Sequence, residues 1–170
     1  ALFTEKNGPE TTVFDSDGTW THTAHLFNYL GVGSVDGSAY LHTLQEQVDS
    51  FGVDRQEGEV TAVEADENGG FHVTVDGDTH EAQYLVLATG AKRDLAEDLG
   101  CAFDGDVVDV DVDMETSVDD AYATGGMVRA QEWQAVISAG DGAAAALDIL
   151  SKEEGEHFHD FDVPADADEL

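Results

Sequence analysis

Apolar residues recur along the chain with two different spacings, and each spacing predicts one kind of element. Between residues 38 and 51 they fall three or four positions apart, which is the spacing of an amphipathic helix with one face in the core. Ser38 is the predicted N-cap of this helix and Gly52 its predicted stop. The face that we expect to be buried consists of Tyr40, Leu41, Leu44, Val48 and Phe51.

Strands are predicted on either side of two glycine-rich turns. Residues 59–64 and 71–75 alternate apolar and polar positions around Asn68-Gly69-Gly70, which predicts a β-hairpin. After a further turn at residues 76–78, the apolar run 84–87 stops at Ala88-Thr89-Gly90. Such a run is typical of a fully buried strand that closes on a turn where another molecule approaches the backbone. Gly90 permits that approach because it has no Cβ.

The remaining elements follow from the same reasoning. Short helices are expected before Gly8 and over residues 94–100, and a long helix from Gln134 to about Leu150. Strands are expected at residues 11–15 and at 122–127, where the latter ends in glycines. Residues 104–113 alternate Val and Asp, which favours a half-buried strand with an acidic outer face over a calcium loop, because the spacing lacks the glycine and the bidentate glutamate of an EF-hand.

Asp15 follows the first predicted strand, in the order helix, glycine, strand, acidic residue. That order is the second half of a βαβ unit, where an acid accepts hydrogen bonds from the ribose of a dinucleotide. The alternative is a turn residue, since Asp15-Ser16-Asp17-Gly18 has favourable turn chemistry. Because the chain opens on the last turns of a helix at Ala1, we expect the first strand and its glycine-rich loop to lie upstream.

Three stretches in this order resemble the FAD-binding domain of flavoprotein reductases of the thioredoxin reductase type. They are Tyr84–Ala91, which resembles the Ala-Thr-Gly segment; residues 116–127, which resemble the final strand-to-helix turn; and residues 134–144, which resemble the last helix. The resemblance implies an α/β, three-layer FAD/NAD(P)-binding domain, Rossmann-like, with a mostly parallel sheet and an antiparallel β-meander. One such domain is expected over residues 1–152, followed by an acidic tail over residues 153–170.

The resemblance also implies which residues hold FAD. Asp15 would hold the ribose, and the backbone near Val60 would touch the adenine. Asn28, in a segment similar to the family's Asn-aromatic-Pro-Gly with Leu30 in place of the proline, would lie beside the flavin. Ala88, Thr89 and Gly90 would pack on the cofactor, and its central part would be lined by Gly125, Gly126 and Met127. Backbone amides at the flavin ring would come from Gln134, Ala135 and Val136.

Three departures from the family change what the resemblance implies. The family inserts an NADPH-binding domain between the Ala-Thr-Gly segment and the last strand, and residues 91–115 leave no room for one. The redox cysteine pair belongs to that missing domain, so the usual route of disulfide reduction is excluded. The family's Gly-Asp in the last turn is here Gly125-Gly126, which removes a carboxylate that normally binds the ribityl and pyrophosphate part of FAD.

Charge excludes several partners and suggests an environment. The chain has 38 Asp and Glu against 6 Lys and Arg, a net charge of −32, while 41% of its residues are hydrophobic. Few cations are left to displace counterions from nucleic acid or to bind anionic membranes, so neither is expected as a partner. At about 1 M salt the Debye length is roughly 3 Å and most self-repulsion is screened, which favours the cytoplasm of a halophilic archaeon.

Cysteine and histidine give no strong sign of a catalytic or metal site. Cys101 is the single cysteine and is expected to be a buried, inert thiol. His22 and His25 lack a nearby third ligand for a metal. His157 and His159 could bind a metal, but a frayed acidic tail is the preferred interpretation.

The predicted function is that of a small FAD-dependent oxidoreductase whose flavin exchanges electrons with a separate donor and acceptor. No side chain stands out as a catalytic acid, base or nucleophile. One alternative is a degenerate module that keeps the fold and acts as a regulator or binds a partner protein. Another is a nucleotide-binding module that senses a cofactor without turnover. A homodimer remains open.

Overall fold

A computed structural model of the protein describes residues 1–160, and every structural statement below concerns that range. It contains four α-helices, eleven short strands and two single turns of 3-10 helix, at Trp20–Thr23 and Gly125–Val128. The helices are α1 Leu2–Lys6, α2 Gly37–Ser50, α3 Asp94–Leu99 and α4 Ala135–Glu154. The strands are β1 Thr12–Asp15, β2 His25–Leu26, β3 Val35–Asp36, β4 Asp54–Glu57, β5 Val60–Ala65, β6 Phe71–Val75, β7 Asp78–Ala82, β8 Leu85–Leu87, β9 Phe103–Asp104, β10 Val107–Val108 and β11 Ala121–Ala123.

Parallel and antiparallel pairings coexist, which confirms the predicted α/β fold class. Strand β1 pairs in parallel with β4, and β8 pairs in parallel with β11. Strands β5, β6 and β7 form an antiparallel meander, so the predicted hairpin is confirmed. Two further antiparallel pairs are β2 with β3 and β9 with β10.

Strand β8 is an edge strand, although its sequence predicts complete burial. Its bonds towards β11 run from Leu85 N–H to Asp120 O (3.1 Å) and from Thr124 N–H to Leu87 O (3.0 Å). In a parallel ladder the intervening residue directs its backbone groups to the opposite side, so those of Val86 point away from β11. The side chain of Val86 is 42% exposed. The prediction of a fully buried strand is therefore wrong at Val86, because within residues 1–160 no strand pairs with the side of β8 that faces away from β11.

Two clusters of buried side chains hold the fold together. The larger one joins β8, β11, α3 and the second half of α4, and its members include Tyr122, Met127 and Ile149. The smaller one consists of three valines of the meander, Val63, Val73 and Val75, against which Phe14 of β1 and Leu85 of β8 pack. Strands β1 and β8 are distant in the sequence, yet both pack against this smaller cluster.

The apolar face of α2 is not buried, which contradicts the sequence prediction. Gly37 is the single buried residue of this helix, and Leu44 and the following Phe51 are 38% and 46% exposed. The helix packs through its start instead: a Cβ on Gly37 would lie 1.7 Å from the carbonyl oxygen of Thr21. The N-cap is Asp36 rather than Ser38, since the Asp36 carboxylate accepts bonds from the N–H groups of the helix start.

Two other segments differ from their predicted structure. Strand β4 is entirely polar and exposed, so no apolar pattern could indicate it. Only the β9–β10 hairpin forms within residues 103–113, and the strand predicted there is otherwise absent. The reason is local, because the Asp111 carboxylate accepts hydrogen bonds from the N–H groups of Asp113 (2.9 Å) and Glu115 (3.0 Å) and builds a turn. Val112 is consequently 83% exposed.

The C-terminal helix is the longest element and extends beyond its predicted end. It continues to Glu154 and stops at Gly155, whose φ of 70° is the left-handed conformation that closes many helices. Asp160 then pairs with Lys6 at 2.9 Å. The acidic-tail prediction for residues 161–170 lies outside the described residues. Within residues 1–160 no helix is long and apolar enough to cross a membrane.

Candidate functional site

The residues predicted to hold the nucleotide end lie where β1 ends and β5 begins. Asp15 is the last residue of β1, and its carbonyl oxygen accepts a bond from the Gly58 N–H at 3.3 Å, just before Val60 opens β5. The Asp15 carboxylate uses Oδ1 to accept the Asp17 N–H at 2.8 Å. Asp15 therefore acts as a turn residue, which was the alternative to ribose binding. This contact occupies one of the two carboxylate oxygens that a ribose would use.

Two glycine turns touch each other at the ends of β8 and β11. A Cβ built on Gly126 would lie 3.1 Å from the carbonyl carbon and oxygen of Gly90, closer than nearly all real Cβ contacts. Both Gly90 (φ 67°) and Gly125 (φ 69°) have left-handed backbones that favour glycine. Ala88, Thr89 and Gly90 remain exposed on the side that faces away from the core. The two predicted cofactor segments are therefore in direct backbone contact.

Arg93 fixes these two turns to one another, a role that the sequence did not reveal. Its guanidinium donates to the carbonyl oxygens of Met127 (3.0 Å) and Ala91 (3.1 Å), and also to those of Gly126 (3.2 Å) and Arg129 (3.3 Å). The planar fork of an arginine suits such a set of acceptors. The sequence did contain a sign of this role. Arg93 and Arg129 both lie beside glycine turns in a chain that has only 6 Lys and Arg.

A buried carboxylate also reaches the turn after β11. Asp141 of α4 accepts the Gly125 N–H at 3.2 Å and pairs with the Arg129 guanidinium at 2.5 Å. Its side chain is 7% exposed, which makes the pair a low-dielectric contact. The Nε of Arg129 is buried and has no hydrogen-bond partner among the described residues. Asp141 thus places a carboxylate against the turn in which Gly126 replaces the family's Asp.

Residues predicted to lie at the flavin ring come together at the start of α4. Asn28 Nδ2 donates to Gln134 Oε1 at 2.6 Å, across 106 positions of sequence. Gln134 is the N-cap residue of α4, without a side-chain capping bond. Ala135 and Val136 occupy the first turn, where backbone N–H groups have no carbonyl partner within the helix. Val136 is also 43% exposed, so this helix end is open to a ligand.

Met127 differs from the other predicted cofactor residues because its side chain is fully buried in the larger core. Only its backbone is available at the turn, where its carbonyl accepts a hydrogen bond from Arg93.

Burial raises the pKa of the Cys101 thiol above its ordinary value, although a hydrogen bond with Thr116 opposes the shift. Cys101 is therefore not activated as a nucleophile.

Neither histidine pair forms a metal site in the described part of the chain. His22 contacts Asp17 at 2.8 Å and Ser38 at 2.9 Å, and His25 contacts Ser34 at 2.9 Å. No group of three metal-binding side chains occurs within residues 1–160.

The arrangement fits an elongated cofactor better than a reacting side chain. The predicted residues form three groups, which are Asp15 beside the start of β5, the touching glycine turns, and Asn28 with Gln134. The missing Cβ atoms leave room for close backbone approach at the glycine turns, and the open first turn of α4 offers N–H donors. These are the features that a large planar cofactor with a phosphate linker requires.

Comparison with known proteins agrees with the fold. Solved structures with the same fold include the atypical thioredoxin reductase TRi from Desulfovibrio vulgaris Hildenborough, at TM-score 0.83 and 15% identity over 91% of this chain and 93% of that one. A thioredoxin reductase from Gloeobacter violaceus matches at TM-score 0.83 and 16% identity, over 96% and 93%. A ferredoxin-flavin thioredoxin reductase from Clostridium acetobutylicum matches at TM-score 0.76 and 16% identity, over 91% and 94%.

No curated protein sequence matches the chain. The sequence profile of one family, described as Pyridine nucleotide-disulphide oxidoreductase, matches residues 5–143. This match covers most of the chain and agrees with the thioredoxin reductase-like fold. The chain belongs to the pyridine nucleotide-disulphide oxidoreductase family.

Proposed function

We propose that the protein is a small FAD-dependent oxidoreductase that resembles thioredoxin reductase and exchanges electrons with separate carriers. The proposal rests on one observation. Residues that are predicted to bind the same cofactor lie far apart in the sequence and contact one another in the fold. Gly90 lies against Gly126, and Asn28 is hydrogen-bonded to Gln134. FAD, when bound, accepts and passes on electrons through its ring, so the chain itself need supply no acid, base or nucleophile.

The chain's own residues would bind and orient the cofactor. The remaining oxygen of Asp15 would accept a ribose hydroxyl, and the backbone near Val60 would meet the adenine. Amides at the start of α4 would face the ring edge where negative charge grows on reduction, because a helix start carries partial positive charge. Arg93 holds the two glycine turns in register, which keeps the middle of the site in one geometry.

The organisation of the chain supports a separate electron donor. Residues 91–115, where the family carries its NADPH-binding domain, hold only α3, the β9–β10 hairpin and the turn around Asp111. The Clostridium structure is named a ferredoxin-flavin thioredoxin reductase, so its title names ferredoxin. We propose a small electron carrier of similar chemical class for this chain. The net charge of −32 supports a cytoplasm rich in salt as the working environment.

The rival function is a module that keeps the fold but binds FAD weakly and serves a partner protein. Two observations favour it. Gly126 stands where the family has an Asp, and one oxygen of Asp15 is already engaged in a turn. Asp141, which lies beneath the same turn, speaks for the oxidoreductase because it restores a carboxylate to this region.

The visible absorption spectrum of protein purified in molar salt and incubated with FAD tests the proposal. We expect a retained flavin band, and denaturation should release intact FAD. Asn28→Ala should weaken retention because it removes the bond to Gln134. Asn68→Ala, in the β5–β6 turn, is the control that should leave retention unchanged. A folded protein that takes up no FAD would overturn the oxidoreductase and favour the rival.

A further inference from the structure

The only two tryptophans of the chain contact one another on the surface. Trp20 and Trp133 are 113 positions apart, yet their ring centroids are 5.6 Å apart with an angle of 60° between the planes. They are 70% and 44% exposed. The two indoles form an open corner, defined here as the tryptophan corner.

One indole of the tryptophan corner is held by a hydrogen bond, and the other belongs to a capped turn. Trp133 donates its indole N–H to the carbonyl oxygen of Arg129 at 3.2 Å, which ties it to the turn after β11. Trp20 opens the 3-10 turn, whose start is capped by Thr19, since the Thr19 hydroxyl accepts the Thr21 N–H at 3.2 Å. The corner therefore joins an indole bonded to the turn after β11 with an indole carried by the capped 3-10 turn, which are distant segments of the chain.

The corner adjoins the residues proposed for the flavin ring. Trp133 directly precedes Gln134, whose side chain is bonded to Asn28. Val136 lies just beyond and is 43% exposed, and Phe27 beside Asn28 is 75% exposed. Exposed apolar patches of this kind, with polar groups at their border, mark binding sites in soluble proteins. Here the polar border is the Asn28–Gln134 pair.

We infer that the tryptophan corner packs against the isoalloxazine ring of the proposed FAD and orients it. Aromatic rings prefer offset-stacked or edge-to-face contacts with centroids several ångströms apart, and two indoles inclined at 60° present a surface for both kinds. The inference rests on the proposed function. It assigns Trp20 and Trp133 a role in holding the ring that the resemblance to thioredoxin reductases does not imply.

Flavin emission from FAD-loaded protein tests this contact. An indole that touches a flavin quenches its emission by donating an electron to the excited ring. Trp133→Leu and Trp20→Leu should each raise the emission of bound FAD several-fold, and should weaken FAD binding by roughly two- to tenfold, as expected for the loss of one aromatic contact. Phe51→Leu is the matched control, since Phe51 is 46% exposed and lies at the end of α2.

A second measurement needs no variant. N-bromosuccinimide oxidises accessible tryptophans, and the oxidised residues can be counted by mass spectrometry. FAD should protect both tryptophans, whereas ADP, which shares the adenine end but has no flavin ring, should protect neither. This comparison stands even if a tryptophan variant fails to fold.

The outcomes separate the inference from the proposed function. The tryptophan contact would be overturned if all variants retained FAD with the same emission and affinity, and if the tryptophans were oxidised equally with FAD and with ADP. The proposed oxidoreductase would still stand in that case. Wild-type protein that retains no FAD would overturn both. Protection by FAD together with brighter flavin in the tryptophan variants would support the contact.

Discussion

Helices α2 and α4 are both predicted from the sequence, yet they have opposite environments. The second half of α4 buries Ala145, Ala146, Ile149 and Leu150, and two of these, Ala145 and Ile149, belong to the larger core. Helix α2, in contrast, buries only Gly37 and leaves its apolar face partly exposed. Periodicity therefore predicts a helix and the face it could bury, but a second element must be present to cover that face.

The difference between the helices also concerns how each is fixed. Helix α4 lies on the 3-10 turn after β11 and bears Asp141, which bonds to that turn. Helix α2 is fixed mainly by its start, where Gly37 packs on the carbonyl of Thr21. We therefore expect α2 to open at a lower free energy than α4, since local stability follows the number of buried apolar contacts.

The largest expected effect comes from salt, because it acts on all 38 acidic residues together. Lowering the salt from about 1 M to about 0.01 M lengthens the Debye length from roughly 3 Å to roughly 30 Å, so that distant carboxylates repel one another. Amides of α2 should then exchange with deuterium before those of α4. Hydrogen exchange followed by mass spectrometry at several salt concentrations measures this order.

Sucrose at low ionic strength is the control for the salt experiment, because it strengthens burial without screening charge. Simultaneous loss of protection in α2 and α4 as salt falls would contradict the proposed difference between them. Stability that does not depend on salt would contradict adaptation to a salt-rich cytoplasm.

The next largest effect is expected from truncation in the buried half of α4. Ile149→Ala should lower the free energy of unfolding by about 2–5 kcal/mol, the range for large-to-small changes in a core, because Ile149 is 3% exposed. Val136→Ala in the same helix is the control, since Val136 is 43% exposed. Urea unfolding in molar salt measures both at constant ionic strength. Equal losses at the two positions would show that the core does not lie at this end of α4.

Sequence reasoning predicted most elements of this fold because their signals are local. The meander follows from alternation and from Asn68-Gly69-Gly70, and α3 ends at Gly100 as expected. It failed where the structure depends on neighbours or on polar side chains. Strand β4 has no apolar residue to indicate it, and the Asp111 turn replaces a strand that alternation favours.

The candidate site was predictable as a set of segments but not as a network. The resemblance identified the glycine turns, Asn28 and Gln134, and the structure brings them together in pairs. Their cofactor roles remain predictions. The resemblance did not reveal Arg93, whose four carbonyl contacts depend on the tertiary path of two turns, or Asp141, which reaches a turn 16 residues earlier in the chain.

The smallest expected effect comes from a substitution in α2, the less buried of the two helices. It complements the test made in α4. Leu44 is 38% exposed and lines a shallow groove with Tyr29 and Tyr40. Because more than a third of its surface is already exposed in the folded protein, Leu44→Ser should cost less than Ile149→Ala and lower the free energy of unfolding by about 1–2 kcal/mol. Urea unfolding under the conditions used for Ile149→Ala gives the direct comparison. A loss as large as that of Ile149→Ala would mean that α2 is covered in solution, and sedimentation at two protein concentrations would then show whether a second copy covers it.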